Sequence, residues 1–202
     1  MKKDIILSLI VGEITAWFML VVFKTIGFSN AYLIAMPIVI PVLWMIGIII
    51  GKYLGRFYLV FYQIVKFVEI GFLNTTVDFG VLNGLIFLTS ATQGILYSVF
   101  KAISFCVAVV NSYLLNKYWT FEAGGATVNK SVEFLKFMVV SVVGVVINVG
   151  IATLVVNFVN PMFGFDDLKW ANIGAVTATA LSLVWNFIGY KLIVFKEKTP
   201  SV

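Results

Sequence analysis

The sequence predicts an all-α integral membrane protein with six transmembrane helices, arranged as two parallel two-helix repeats preceded by an extra N-terminal hairpin. Three observations carry this. First, 61% of the 202 residues are hydrophobic and 11% are charged, whereas soluble domains carry roughly 25% charged residues. So few charges do not cover a water-facing surface. Second, the apolar residues gather into six segments of the ~20 residues a helix needs to cross the hydrocarbon core. Third, one pair of these segments resembles the next pair along the chain. The same composition excludes intrinsic disorder, and six spans leave no room for a separate catalytic domain of ordinary size.

The first span is read over residues 5–23. The opening Met1-Lys2-Lys3-Asp4 resembles the start of a signal peptide, but the apolar core exceeds the ~7–15 residues of a cleavable one, so the segment is read as retained. The second span covers 31–51, and residues 1–52 form the N-terminal hairpin. Residues 53–65 carry Tyr53, Phe57, Tyr58, Phe61 and Tyr62 at helical spacing, flanked by Lys52, Arg56 and Lys66. They are expected to form an amphipathic helix in the headgroup region; the alternative is that they lengthen the next span. The third to sixth spans are read over 67–88, 95–115, 137–158 and 170–194. The stretch 122–130, with Gly124 and Gly125, is the flexible linker between two halves, and 196–202 is a cytoplasmic tail.

Charge placement orients the chain, because cytoplasmic flanks of spans carry an excess of Lys and Arg. Lys2, Lys3, Lys52, Arg56, Lys66, Lys117, Lys130, Lys136, Lys191, Lys196 and Lys198 fall on one side of six spans; Lys24, Lys101 and Lys169 fall on the other. Eleven against three puts both termini in the cytoplasm. The formal charge of +5 then reflects orientation rather than nucleic-acid binding.

Much chemistry is excluded. With no histidine, imidazole metal sites and bases are absent. The single cysteine, Cys106, forms no intrachain disulfide. Gly47-Ile48-Ile49-Ile50-Gly51-Lys52-Tyr53 has the wrong spacing for a phosphate loop. Gly47, Gly51 and Gly55 read instead as a packing edge toward an internal helix or another copy of the chain. No nucleophile elbow or metal-binding carboxylate cluster is visible. The chain is therefore not read as an enzyme, and no cofactor or metal is expected.

The two halves are a repeat. Lys66-Phe67 opens one and Lys136-Phe137 the other, and at that offset Gly71 meets Ser141, Asn74 meets Gly144, Asp78 meets Asn148 and Gly80 meets Gly150. Lys117-Tyr118-Trp119-Thr120-Phe121 closes the first copy, and Lys191-Leu192-Ile193-Val194-Phe195 closes the second. The copies cover about 66–121 and 136–195. Each is a two-span hairpin, so both enter the membrane in the same direction and the repeat is parallel. Polar residues fall at helical spacing on one stripe of each span: Gly71, Asn74 and Asp78; Lys101, Ser104, Ala108 and Asn111; Ser141, Gly144, Asn148 and Ala152; Asn172, Ala175, Thr179, Ser182 and Asn186. Small and amide residues of this kind are ordinary packing glue in lipid. Ionisable residues are different, since each costs ~2.5–3.5 kcal/mol at the bilayer centre on insertion scales. Glu13, Asp78 and Lys101 are therefore the default functional candidates. Asp78 and Lys101 are placed to pair with each other or to serve a substrate, and Glu13 to anchor the N-terminal hairpin.

The run from Phe67-Val68-Glu69-Ile70-Gly71-Phe72-Leu73-Asn74 through Asp78 resembles the opening signature of the GtrA-like membrane proteins. Asn111 through Asn116-Lys117-Tyr118-Trp119-Thr120-Phe121 is similar to the end of their first hairpin, and Trp185-Asn186-Phe187 with Val194-Phe195 to the second copy. The resemblance covers residues 66–195. It implies a four-span unit that moves a polyprenyl-phosphate-linked monosaccharide from the inner to the outer leaflet of the cytoplasmic membrane, for cell-envelope polysaccharide glycosylation. On that reading Asn74, Asp78, Ser104, Asn111, Asn148 and Asn186 meet sugar hydroxyls, Asn116 also belongs to the substrate-binding set, Lys117 and Lys191 capture the phosphate at the inner helix ends, and Lys101 receives it further out. Lys117 stands where arginine is common in the family, and Tyr190 and Ile193 stand where the first copy has Asn116 and Trp119. Two alternatives remain open: a non-transporting partner that recruits a membrane glycosyltransferase, and an ion-coupled small-molecule transporter with a carboxylate switch.

Overall fold

A computed structural model describes residues 2–25, 31–90, 94–123, 129–162, 164 and 167–195, and every regular element among them is helical. In order these are α1 (Lys2–Thr25), a 3₁₀ turn (Ala31–Ala35), α2 (Met36–Leu54), α3 (Leu59–Thr89), α4 (Gly94–Leu115), a π turn (Asn116–Thr120), α5 (Lys130–Phe158), α6 (Asp167–Gly189) and a second π turn (Tyr190–Val194). Among the described residues, five stretches are long and apolar enough to cross a membrane: Lys2–Val21, Leu33–Leu54, Leu59–Thr89, Lys130–Val155 and Thr177–Val194. The chain is a multi-pass membrane protein. The tail at 196–202 lies outside the described residues.

Local chemistry sets the helix ends. Pro37 opens α2, where its missing N–H costs nothing. Ser90 ends α3 in a left-handed conformation, its N–H donating to Ile86 O at 2.7 Å. Asn129 caps α5 by accepting from the backbone N–H groups of Ser131 and Val132. Residues 53–65 differ from the separate amphipathic helix expected of them. Tyr53 and Leu54 finish α2, a tight turn follows with Gly55 N–H donating to Gly51 O at 2.8 Å, and Leu59 to Val65 form the first turns of α3. Gly55 permits this turn because a Cβ there would stand 2.9 Å from Tyr62 Cβ, so the chain doubles back at once rather than running along the surface.

The chain divides into two compact units, Met1–Glu122 and Ala123–Val202. In the first, α1, α2, α3 and α4 share one core of Val11, Ile48, Ile70, Leu73, Val77, Ala108 and Trp119. The N-terminal hairpin thus packs with the first repeat rather than standing apart from it. Glycines allow the close approaches that hold helices together in lipid. A Cβ at Gly12 would stand 2.6 Å from Pro41 Cα, and one at Gly51 2.8 Å from Val65 Cγ2. The edge of Gly47, Gly51 and Gly55 therefore serves an internal helix, α3. Gly80 receives the ring of Phe18. In the second unit α5 and α6 pack around Phe137, Val140, Ala178, Tyr190, Val194 and Phe195, with Phe137 and Tyr190 stacked at 4.5 Å.

Candidate functional site

In the first repeat hairpin the polar stripe of α3 faces that of α4. Asn111 Nδ2 donates to Asn74 Oδ1 at 2.7 Å, and Ser104 Oγ donates to Asp78 Oδ1 at 2.6 Å. Helical spacing dictates both pairings: Asn74 and Asp78 are four residues apart, Ser104 and Asn111 seven, and both intervals return to the same face. Ser104 is fully buried, while Asn74, Asp78 and Asn111 are half-buried. Each amide retains hydrogen-bonding capacity beyond this one contact. Lys101 lies on α4, but its side chain is outside the described residues, as is the expected pairing with Asp78.

The motif that ends the hairpin takes an unusual local shape. Residues 116–120 widen into a π turn in which Phe121 N–H reaches back five residues to Asn116 O at 2.9 Å. Single π turns are frequent at functional sites. This one buries Asn116 and Lys117, which are 1% and 2% exposed. Asn116 Nδ2 donates to Ser112 O at 2.9 Å, and Lys117 Nζ donates to Tyr113 OH at 3.3 Å and lies over the Tyr113 and Tyr118 rings. Asn116 Oδ1, Trp119 Nε1 and Thr120 Oγ1 are buried without a hydrogen-bond partner. Two donors and an acceptor are thus enclosed at the helix end without a protein partner.

The second unit repeats the design. Phe195 N–H donates to Tyr190 O at 2.8 Å in a matching π turn, and Lys191 Nζ lies 5.9 Å from the Phe187 ring centroid. Asn148 Nδ2 donates to Ser182 Oγ at 3.3 Å and Thr179 Oγ1 at 3.4 Å. The Asn186 carboxamide packs over Gly144 with its Oδ1 unpartnered. Ser141 and Tyr190 share a hydroxyl–hydroxyl bond at 2.8 Å, and Trp185 Nε1 donates to Val140 O. Of the ten sequence-predicted residues, nine have described side chains: Asn74 pairs with Asn111 and Asp78 with Ser104, Asn116 and Lys117 sit at the first π turn, and Asn148, Asn186 and Lys191 lie in the second unit.

One buried charge cluster was missed by sequence reasoning. Lys66, counted there as a flanking charge, is 1% exposed. Its Nζ reaches Asp4 Oδ1 at 3.0 Å, Glu122 Oε1 at 3.0 Å and Trp119 O at 3.1 Å, and it lies 4.3 Å from the Tyr62 ring centroid. One turn on, Glu69 is buried and accepts from Ser8 Oγ at 2.8 Å. The spacing of Lys66 and Glu69 on α3, matched by Asp4 and Ser8 on α1, was the available signal. Glu13 does not anchor its hairpin to a neighbour through the contact seen; it accepts from Trp17 Nε1 of its own helix at 2.8 Å.

Paired polar side chains and a π turn with a lysine beside it occur in each unit, and known families can be compared with this arrangement. The model of the GtrA/DPMS transmembrane domain matches residues 66–195. The chain belongs to this family. No solved structure matches it. Membership places this GtrA-family protein among membrane proteins that handle polyprenyl-linked sugars. The matched span begins at Lys66 and ends at Phe195, so α1 and α2 are an addition to the family unit. That addition supplies Asp4 and Ser8 to the buried cluster.

Proposed function

We propose that this GtrA-family protein moves a polyprenyl-phosphate-linked monosaccharide from the inner to the outer leaflet of the cytoplasmic membrane, feeding cell-envelope polysaccharide glycosylation, without catalysing a covalent step. The observation that carries the reading is the polar face inside each hairpin, at Asn74–Asn111 and Asp78–Ser104 in the first and Asn148–Ser182 in the second. Sugar hydroxyls lose water on entering hydrocarbon, and each unpaired hydroxyl costs several kcal/mol. Amide and carboxylate groups that already bond across a helix pair can exchange those bonds for bonds to sugar. Lys117 and Lys191, at the π turns, are the cations suited to the phosphate, and their aromatic neighbours keep them in place. Lys101 is the partner assigned further along the path.

Both termini are placed in the cytoplasm on the lysine distribution. Lys66 and Lys117 are buried, so two of the eleven inner cations are packed charges; nine against three (eleven minus two) retains the bias. An inside-negative potential then favours outward movement of the anion by about 2.3 kcal/mol per charge per 100 mV.

The test is transfer of a labelled polyprenyl-phosphate sugar across liposomes holding the purified chain, with orientation read by protease protection of a C-terminal tag. Faster transfer than in empty liposomes is expected, as is its loss in Asp78→Asn and Lys101→Met proteins that still fold. No acceleration with any of several sugars would sink the proposal. Normal transfer by both variants would favour the reading in which the chain only recruits a glycosyltransferase.

A further inference from the structure

The buried cluster beneath the N-terminal hairpin has a half-satisfied carboxyl group that the transport reading does not use. Glu69 is 3% exposed. Its Oε2 accepts from Ser8 Oγ at 2.8 Å, while its Oε1 is buried with no hydrogen-bond partner. Across from Oε1 is Gly47 of α2, where a Cβ would stand 3.5 Å away. The groups around it are settled elsewhere. Lys66, three residues before it, is bonded to Asp4, Glu122 and Trp119 O and covered by the Tyr62 ring. Between Met36 and Gly51, α2 carries no ionisable side chain. Among the described residues the cluster therefore holds one cation, Lys66, and three carboxyl groups, Asp4 from α1, Glu69 from α3 and Glu122 after the π turn.

We propose that Glu69 is a proton-binding site, closed over by the added hairpin through Ser8 and Gly47. Glu69 Oε1 is buried without a hydrogen-bond partner, and a proton there removes the charge that burial disfavours. Two oxygen-bearing side chains meet at Glu69, too few for a hard divalent cation, which takes about six or more oxygen ligands. A proton needs one. In the binding step Oε1 forms an O–H bond with a proton from water, and Oε2 keeps its hydrogen bond from Ser8. Release reverses the step with no other bond changed. Because α1 supplies the hydroxyl, proton occupancy and the seating of α1 on α3 are linked.

Infrared difference spectroscopy on the full chain in lipid vesicles, with pH stepped and no sugar present, reads the site independently of transport. A carboxylic-acid C=O band that grows as pH falls is expected, absent from Glu69→Gln, retained in Glu13→Gln, and shifted in frequency by Ser8→Ala. If Glu69→Gln does not fold, ¹³C-glutamate labelling of the unaltered chain and of Ser8→Ala makes the same assignment. A band indifferent to label and to Ser8→Ala overturns the proposal. So does a carboxylate signal that responds to sodium and not to pH, which would make the site a cation site.

Discussion

The two repeat hairpins close alike and are held in place differently. Both end in a π turn with a five-residue backbone bond, Phe121 to Asn116 and Phe195 to Tyr190. In both a lysine lies over an aromatic ring one helical turn earlier, Lys117 over Tyr113 and Lys191 over Phe187. Yet the opening lysine of the first copy is buried among carboxyl groups, while its counterpart Lys136 is exposed. Glu69 is buried where Val139 of the second copy is exposed. Gly80 receives Phe18, whereas a Cβ at Gly150 would meet nothing within 4 Å. The differences follow from the N-terminal hairpin, which covers α3. The closing motif belongs to the repeat; buried charge belongs to whatever packs against it.

Substitutions at equivalent positions test this contrast. The largest effect is expected at the opening lysines. Lys66→Met removes the ammonium group that Asp4 and the Trp119 carbonyl share, and breaking a buried pair costs about 3–5 kcal/mol. The loss should fall near the lower end because Glu122 is 71% exposed. Lys136→Met should stay within about 0.5 kcal/mol. Denaturation in mixed micelles measures both, and equal losses would mean that Lys136 is also engaged.

The paired glycines come next. Gly80→Leu must displace Phe18, an overpacking cost of about 1–3 kcal/mol, and should loosen α1 from α3. At Gly150 the same change should leave stability unaltered; a comparable loss there would show that α5 has a close neighbour at this position.

The smallest effect is expected between the polar stripes. A double-mutant cycle on Asn74 and Asn111 should give a coupling near the average of ~0.6 kcal/mol for bonds between membrane helices. A cycle on Asn148 and Ser182 should give less, because that contact is 3.3 Å long against 2.7 Å. A larger value in the second unit would reverse the ranking of the two faces.

What the sequence determined by itself is set by period and composition. Apolar runs of span length and polar residues at three- and four-residue spacing placed the helices and the facing stripes. These are local regularities of a helix in lipid, where every backbone group must be paired within the segment. The family unit, residues 66–195, was legible through the resemblance of its motif residues, Phe67 to Asp78, Asn111 to Phe121 and Trp185 to Phe187 with Val194 and Phe195. Tertiary structure decided the rest. Lys66 read as one flanking charge among eleven until Asp4, sixty-two residues earlier, and Glu122, fifty-six later, were seen beside it. Glu69 passed as one letter of a motif because Ser8 and Gly47, which meet its carboxyl group, lie on other helices. Residues 53–65 kept the helical period in the sequence, but the close approach of Gly55 and Tyr62 broke the run into a turn. Such contacts join residues far apart in the chain, and helical periodicity reports which face of a helix a residue occupies without naming the helix that covers it.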